Sequence, residues 1–317
     1  MELLLIPIDD EELWNAICAF LNGKSPGPDG LSIEFYKLMF PFIKDELKQL
    51  LNHFLRNGKM LAKFKAGIMK LIPKDVVIEE VEKSRPFTLL NCDYKIFTKI
   101  LSNRLQPILQ ELIHDSQYAL PGRDINEMNN LVRDIIDEMK ISNSDSFFVS
   151  VDFSKAYDSI SHEFLYQVLE KYGFPLPFIQ IIQELFRDAG SHIMINGHRS
   201  RKIKLKSGSR QGDPLSRDLF ILVKNPLLVF LNRWRLIKKY ESLSRKEYLT
   251  LSFMDDLNLA TQSISGVMQS LFYIKKFGKA SGLNINEGKT CRLFINKITL
   301  FLLHIYRQLP GLIILRY

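Results

Sequence analysis

Three carboxylates stand where they could do chemistry. Asp255 and Asp256 are adjacent in LTLSFMDDLNLA, residues 249–260, a short apolar segment with partial alternation. A buried carboxylate is costly and stays protonated unless something pairs with it. Asp-Asp is also poor strand material, so the segment predicts a hairpin with both acids at its turn. Two acids at a turn are most simply a solvated turn; a third acid elsewhere changes the reading. In FFVSVDFSKAYDS, residues 147–159, Asp152 leaves an apolar strand with Phe148 and Ser150 on its own side. A carboxylate at a strand exit beside a two-carboxylate hairpin suits paired divalent cations. Such ions, about 3.5–4 Å apart, activate an attacking hydroxyl and stabilise a leaving oxygen in phosphoryl transfer. Mg2+ fits because it takes few protein carboxylates and completes its shell with phosphate and water.

The elements that must position these acids read as follows. DDEELWNAICAFLNG predicts an acid-capped helix ending at Gly23, and KSPGPDGLS after it a loop. The stretch from Ile33 has helical spacing with a break near Pro41 and a stop at Gly58. FKAGIMKLIPKD predicts a strand ending at Pro73, and SRPFTLLNCDYKIF a loop or strand that becomes a helix. NEMNNLVRDIIDEMK is a helix, FFVSVDF a buried strand, and SKAYDSISHEFLYQVLEKYG one helix after it. PFIQIIQELFRD is helical, and SHIMINGHRSRKIKLKSG a hairpin turning at Asn196-Gly197. Helices are also predicted in DPLSRDLFILVKNPLLVFLNRW and SGVMQSLFYIKKFGKASG, with LNINEGKT a strand or loop. Strands and helices mix without regular βαβ alternation, which predicts an α+β fold with a helix-backed sheet.

Composition bounds the function without naming it. At 317 residues, 46% apolar and 25% charged, the chain is globular and long enough for one large domain or two ordinary ones. A net charge of +8 suits a polyanionic partner but does not establish one. Cys18, Cys92 and Cys291 form no ligand or disulfide pattern, which fits a reducing, intracellular compartment, nucleus or cytoplasm being open. The N-terminus lacks a signal-peptide pattern, and no apolar run is long enough for a membrane span. No protein partner is evident.

The ordered motifs resemble the reverse transcriptase of non-LTR (LINE-type) retrotransposons from roughly Gly23 to Cys291. GKSPGPDGLSIEFYK is similar to the family's amino-terminal signature, and LIPKD with SRPFTLLNCDYKIFTKILSNRL to its fingers motifs. VSVDFSKAYDSI, GSRQGDPLS, FMDD and SGLNINEGKT resemble motifs A, B, C and D. The resemblance implies a right-hand polymerase fold: residues 1–145 rich in fingers elements, 146–291 a palm with fingers elements interleaved around 166–205, and 292–317 an atypical apolar tail. It implies an RNA-directed DNA polymerase using an RNA template, a DNA primer, deoxynucleoside triphosphates and Mg2+, with Mn2+ as a substitute.

Carried over residue by residue, the resemblance makes Asp152 and Asp255 metal ligands, Asp256 a supporting carboxylate and the Phe153 carbonyl a further ligand. Tyr157 becomes the aromatic under the incoming sugar that excludes a 2′-hydroxyl; on its own it reads equally as helix core. Gln211 would hydrogen-bond nucleotide or template, with Gly208 and Gly212 permitting close backbone approach. Lys74 and Arg85 would grip the triphosphate, and Lys289 would protonate departing pyrophosphate. Arg123 and the run His198–Lys206 are candidates for the template–primer backbone, although such runs are commonly solvated faces.

Several positions depart from the family pattern: Arg217-Asp218 after PLS, Ala119-Leu120 before PGR, and Asn225 where relatives carry a glutamate. After Cys291 no family pattern is legible, so the thumb is expected to be missing or degenerate. An endonuclease is expected to come from elsewhere. Two other readings stay open: a catalytically silent relic or RNA-binding module keeping the fold, and an intron-maturase-like enzyme.

Overall fold

The computed structural model describes residues 1–73, 84–142, 145–295 and 312–315. Its helices are α1 (Asp10–Cys18), α2 (Ile33–Asn57), α3 (Cys92–Leu112), α4 (Ile125–Ile141), α5 (Ala156–Ser159), α6 (His162–Lys171), α7 (Leu176–Phe186), α8 (Ser216–Arg233) and α9 (Ile264–Ser281). Its strands are β1 (Ala66–Pro73), β2 (Ser84–Leu90), β3 (Ser146–Val151), β4 (Gly190–Ile195), β5 (His198–Lys204), β6 (Tyr240–Glu241), β7 (Glu247–Tyr248), β8 (Thr250–Phe253), β9 (Asp256–Thr261), β10 (Cys291–Ile295) and β11 (Leu312–Leu315). The chain forms two compact units, one of residues 1–108 and 162–219, the other of residues 109–161 and 220–317.

The first unit is built on a sheet of order β2-β1-β4-β5. β1 runs antiparallel to β2 and parallel to β4. β4 and β5 form the hairpin predicted at Asn196-Gly197, whose residues take φ of 50° and 81°, the geometry of a tight primed turn. Its helices bury Leu51, Phe54 and Phe97, and Phe64 packs against Phe54 with ring centroids 4.7 Å apart. The buried ammonium of Lys65 donates to Glu184 Oε1 at 2.8 Å and to the carbonyls of Glu184 and Arg187.

Two sequence expectations fail in this unit. α1 ends at Cys18, well before Gly23, whose backbone N–H instead donates to the Glu34 carboxylate. α2 does not break at Pro41: it is continuous because Tyr36 on one side of the proline and Leu47, Leu51 and Phe54 on the other are buried along the same helix. That packing outweighs the roughly 3 kcal/mol an interior proline costs.

The second unit holds a sheet of order β11-β10-β3-β9-β8, with β3 central. Strand β3 is antiparallel to both β9 and β10. Helix α4, capped by Asp124, lays Met128, Ile135 and Met139 against Phe148 of β3, Ala260 of β9 and Leu251 of β8. The predicted single helix after β3 is two helices. Ile160 is extended and buried between α5 and α6, and the Ser161 N–H donates to the Ser281 carbonyl at 2.8 Å, a tertiary bond that overrides helical propensity. Among the described residues no helix is long and apolar enough to cross a membrane.

Candidate active site

One face of the second unit's sheet changes character along its length. Facing pairs run from Phe148↔Ala260, covered by α4, to Ser150↔Asn258, with Val151↔Leu257 next and pointing to the opposite face. The pairing ends there, and Asp152 and Asp256 are the next residues of the two chains, near enough for Asp152 to repel the Asp256 charge. Asp256 is the first residue of β9 rather than a turn residue as expected; it pairs with Phe253 across the hairpin. Met254 and Asp255 make the two-residue turn, with Met254 in the left-handed region at φ 50°.

The segment 281–290 clamps the other side of Asp152. The Asn286 N–H donates to the Asp152 carbonyl at 2.8 Å, and the Asp152 N–H donates to Thr290 Oγ1 at 3.4 Å. Ser154 N–H donates to the Asn284 carbonyl at 2.8 Å, and Phe153 bridges Ile285. Gly282, at φ 87°, ends α9 so close to Ser159 that a Cβ there would lie 1.9 Å from the Ser159 carbonyl oxygen. This loop is therefore the template against which the backbone of Asp152 is held.

The hairpin is held from behind by a residue the sequence reading did not single out. Lys224 of α8 is fully buried, and its ammonium donates to the carbonyls of Met254 at 2.6 Å and Asp256 at 2.9 Å. It also lies over the Phe153 ring, 5.3 Å from the centroid. Burial pulls its pKa down to about 7 against the opposing attraction of Asp255 and Asp256. The signal was a lone lysine inside LFILVKNPLLVFL, apolar on every helical face.

Asp256 has its carboxyl pushed above the ordinary carboxylate range. Loss of solvent is the largest cause, followed by repulsion from Asp255, with Asp152 adding a further contribution and Lys224 opposing. Among the described residues no three His, Cys, Asp or Glu side chains converge into a ready-made metal cage. The donor set nevertheless fits Mg2+: three hard carboxylates that repel one another are relieved by a divalent charge, which completes its shell with water and phosphate.

Asp152, Phe153, Tyr157, Asp255, Asp256 and Lys289 all fall in the second unit. Tyr157 is half-buried and stacks on Phe220, ring centroids 4.8 Å apart. Lys289 is exposed on the turn between Asn286 and Thr290. Gln211 and Gly212 belong to the first unit, where the Gln211 carbonyl accepts from Thr88 N–H at 3.0 Å. Gly212, at φ 112°, comes so close to β2 that a Cβ would sit 2.7 Å from the Thr88 carbonyl oxygen. Arg85 is in β2, its side chain outside the described residues, as is Lys74 altogether. Arg123 is occupied locally: its guanidinium donates to the carbonyls of His114 and Gln117 and pairs with Asp115.

Two of the three departures from the motif pattern have structural partners. Asp218 is buried and accepts from Ser102 and Gln106, with Arg217 beside it. Asn225 is buried, donates to the Leu112 carbonyl and accepts from His114 N–H, tying α8 to the end of α3.

The family model for reverse transcriptase (RNA-dependent DNA polymerase) matches residues 72–303. This chain belongs to the reverse transcriptase family. The match continues past Cys291, where no family pattern had been legible, and β10 at that point joins the sheet beside β3. A transposon TX1 149 kDa protein from Xenopus laevis is 30% identical over 297 residues, 92% of this chain and 22% of that protein. The Pol polyprotein of retrotransposable element R2 from Popillia japonica is 27% identical over 291 residues, 91% of this chain and 40% of that protein. The reverse transcriptase chain thus falls in the non-LTR retrotransposon class and spans less than half the length of these relatives. Telomerase from Candida tropicalis, solved with a fragment of telomeric RNA, superposes with a TM-score of 0.51 at 12% identity. The alignment covers 83% of this chain and 50% of that one, a likeness of fold. The architecture is accordingly the right-hand α+β fold that the motifs implied, and the family's chemistry uses divalent cations, an RNA template and nucleotide substrates.

Proposed function

We propose that this chain is the polymerase core of a non-LTR retrotransposon protein, copying RNA into DNA from a primer 3′-hydroxyl. The observation that carries the reading is that the β3–β9 pairing ends at Val151↔Leu257, so Asp152 and Asp256 follow on from its last pair, beside the turn bearing Asp255, and Asp152 is near enough to Asp256 to repel its charge. Asp152 and Asp255 are the metal ligands of this proposal, with the Phe153 carbonyl beside them and Asp256 in support. Bound Mg2+, or Mn2+ in its place, supplies the charge that lowers the barrier to attack on the α-phosphorus and to pyrophosphate release. The protein's own part is positioning and electrostatic stabilisation, with no covalent intermediate.

In this reading the second unit is the palm and the first supplies the fingers. Tyr157, fixed by its stack on Phe220, floors the sugar site. Gln211 and Gly212 contact nucleotide or template, and Lys74 and Arg85 hold the triphosphate. Lys289, on the loop that clamps Asp152, delivers a proton to pyrophosphate. The test is extension of a DNA primer on an RNA template with deoxynucleotides and Mg2+, comparing the chain with Asp255→Ala. Extension by the parent alone supports the proposal. Failure of both, with equal binding of primer–template, makes the chain an RNA-binding module instead.

A further inference from the structure

Lys224 is not one of the residues that the motifs single out, yet its amine is bonded to the backbone of the hairpin that carries Asp255. We propose that Lys224 is a positioning residue for catalysis, fixing the Met254–Asp255 turn and hence the direction of the Asp255 carboxylate; this rests on the polymerase reading above.

Three observations support it. First, Lys224 sits in α8 among Phe220, Ile221, Val223 and Leu228, all buried, where methionine would fill the same volume without the desolvation cost of an amine. A core that wanted only packing would not retain the amine. Second, the ammonium's contacts lie at the acidic site: it donates to the Met254 carbonyl at 2.6 Å and the Asp256 carbonyl at 2.9 Å, and it lies over the ring of Phe153, next to Asp152, 5.3 Å from the centroid. The Met254 carbonyl belongs to the peptide that enters Asp255 and the Asp256 carbonyl to the peptide that enters β9, so the two bonds hold the turn that carries Asp255 at both of its ends. Third, a turn that places Met254 at φ 50° is disfavoured for a side-chain-bearing residue and persists only where its surroundings hold it. Ser252 Oγ, donating to the Asp256 carbonyl at 3.1 Å, and the Phe253↔Asp256 pairing also hold this turn.

Whenever pyrophosphate and its counter-charge depart, the hairpin must keep its shape for the next nucleotide. Lys224 supplies that constancy from within the fold.

The test compares Lys224→Met, Lys224→Arg and Leu231→Ala, the last a core lesion two turns further along the same face of α8. Two quantities are read: hydrogen exchange of the 253–257 amides relative to those of β3, and kcat against KM for nucleotide. Positioning predicts that Lys224→Met exchanges at 253–257 at least about tenfold faster with β3 unchanged. It also predicts that kcat falls about 100-fold at unaltered KM, the loss expected for a misplacement near 1 Å. Lys224→Arg recovers part of both, because it keeps donors on the carbonyls. Leu231→Ala lowers stability without selective loosening of the hairpin. The proposal is overturned if Lys224→Met matches the parent in both readouts, or behaves as Leu231→Ala does. Should Lys224→Met not fold, Lys224→Gln is measured in its place. If the parent does not extend primers, the polymerase reading fails on that result. Hydrogen exchange alone then decides whether Lys224 holds the turn.

Discussion

Replacing Gly282 by alanine should damage the site without touching a carboxylate. Gly282 has φ 87°, a region that costs an L-residue about 1–2 kcal/mol. Its added Cβ would lie 1.9 Å from the Ser159 carbonyl oxygen, where ordinary contact begins near 3.4 Å. The end of α9 and the Ser159–Ser161 backbone must therefore separate by about 1.5 Å, with a repacking cost of about 1–3 kcal/mol. Alanine also stiffens the unfolded chain, which returns about 0.4–1 kcal/mol. The net loss is roughly 1–4.6 kcal/mol, read as a lower urea midpoint by far-UV circular dichroism. The same displacement strains the Ser161-to-Ser281 bond and the clamp on Asp152, so single-nucleotide incorporation should fall about 100-fold. Gly288→Ala is the internal control: its Cβ would meet only Asn286 Oδ1, at 3.7 Å, and it should behave as the parent. Equal midpoints and equal incorporation for the two variants would refute the reasoning.

Three further outcomes follow from particular contacts. Lys65→Met leaves the Glu184 carboxylate buried with, among the described residues, only the exposed Arg187 as an ion-pair partner, and should cost about 3–5 kcal/mol in urea unfolding; a loss below about 1 kcal/mol contradicts the pairing. Asp93 has its carboxyl pushed up to about 6, chiefly by burial, so it binds its proton more tightly folded than unfolded. Its contribution is therefore present below the unfolded value near 4 and is lost as pH rises through 6. Asp93→Asn should flatten the fall of stability between pH 4 and 6, and an unchanged pH profile argues against that burial. Among the described residues Arg199 and Arg201 on the exposed strand β5 have no ion-pair partner, whereas Lys204 pairs with Asp188. If both arginines meet phosphates, Arg199→Ser with Arg201→Ser should lower the slope of log affinity against log salt by about 1.4–1.8, and an unchanged slope leaves β5 a solvated face.

Much of the site was legible because acids and glycines announce themselves. Asp152 at a strand exit and Asp255 at a turn follow from apolar runs of the right length, and the Asn196-Gly197 hairpin follows from its dipeptide. What could not be read was set by contacts distant in sequence. Asp256 begins a strand because Leu257 pairs with Val151, about a hundred residues earlier. The break at Ile160 and Ser161 depends on Ser281, and the unbroken helix through Pro41 on packing to either side of it. Lys224 was hidden for a related reason: a helical lysine reads as solvated until the fold shows which carbonyls surround it. Conversely, Arg123 looked available for nucleic acid and is used to hold its own loop.

The central claim is that Asp152 and the Asp255 turn form one catalytic centre. Rapid-quench incorporation of a single deoxynucleotide opposite an RNA template, by the parent and by Asp152→Asn, tests it most directly, with primer–template affinity measured on both. The shared centre requires the rate of Asp152→Asn to fall by at least about 1,000-fold while affinity is retained, since the change removes charge at the reacting phosphate and leaves the clamp intact. Incorporation within tenfold of the parent would place the chemistry elsewhere.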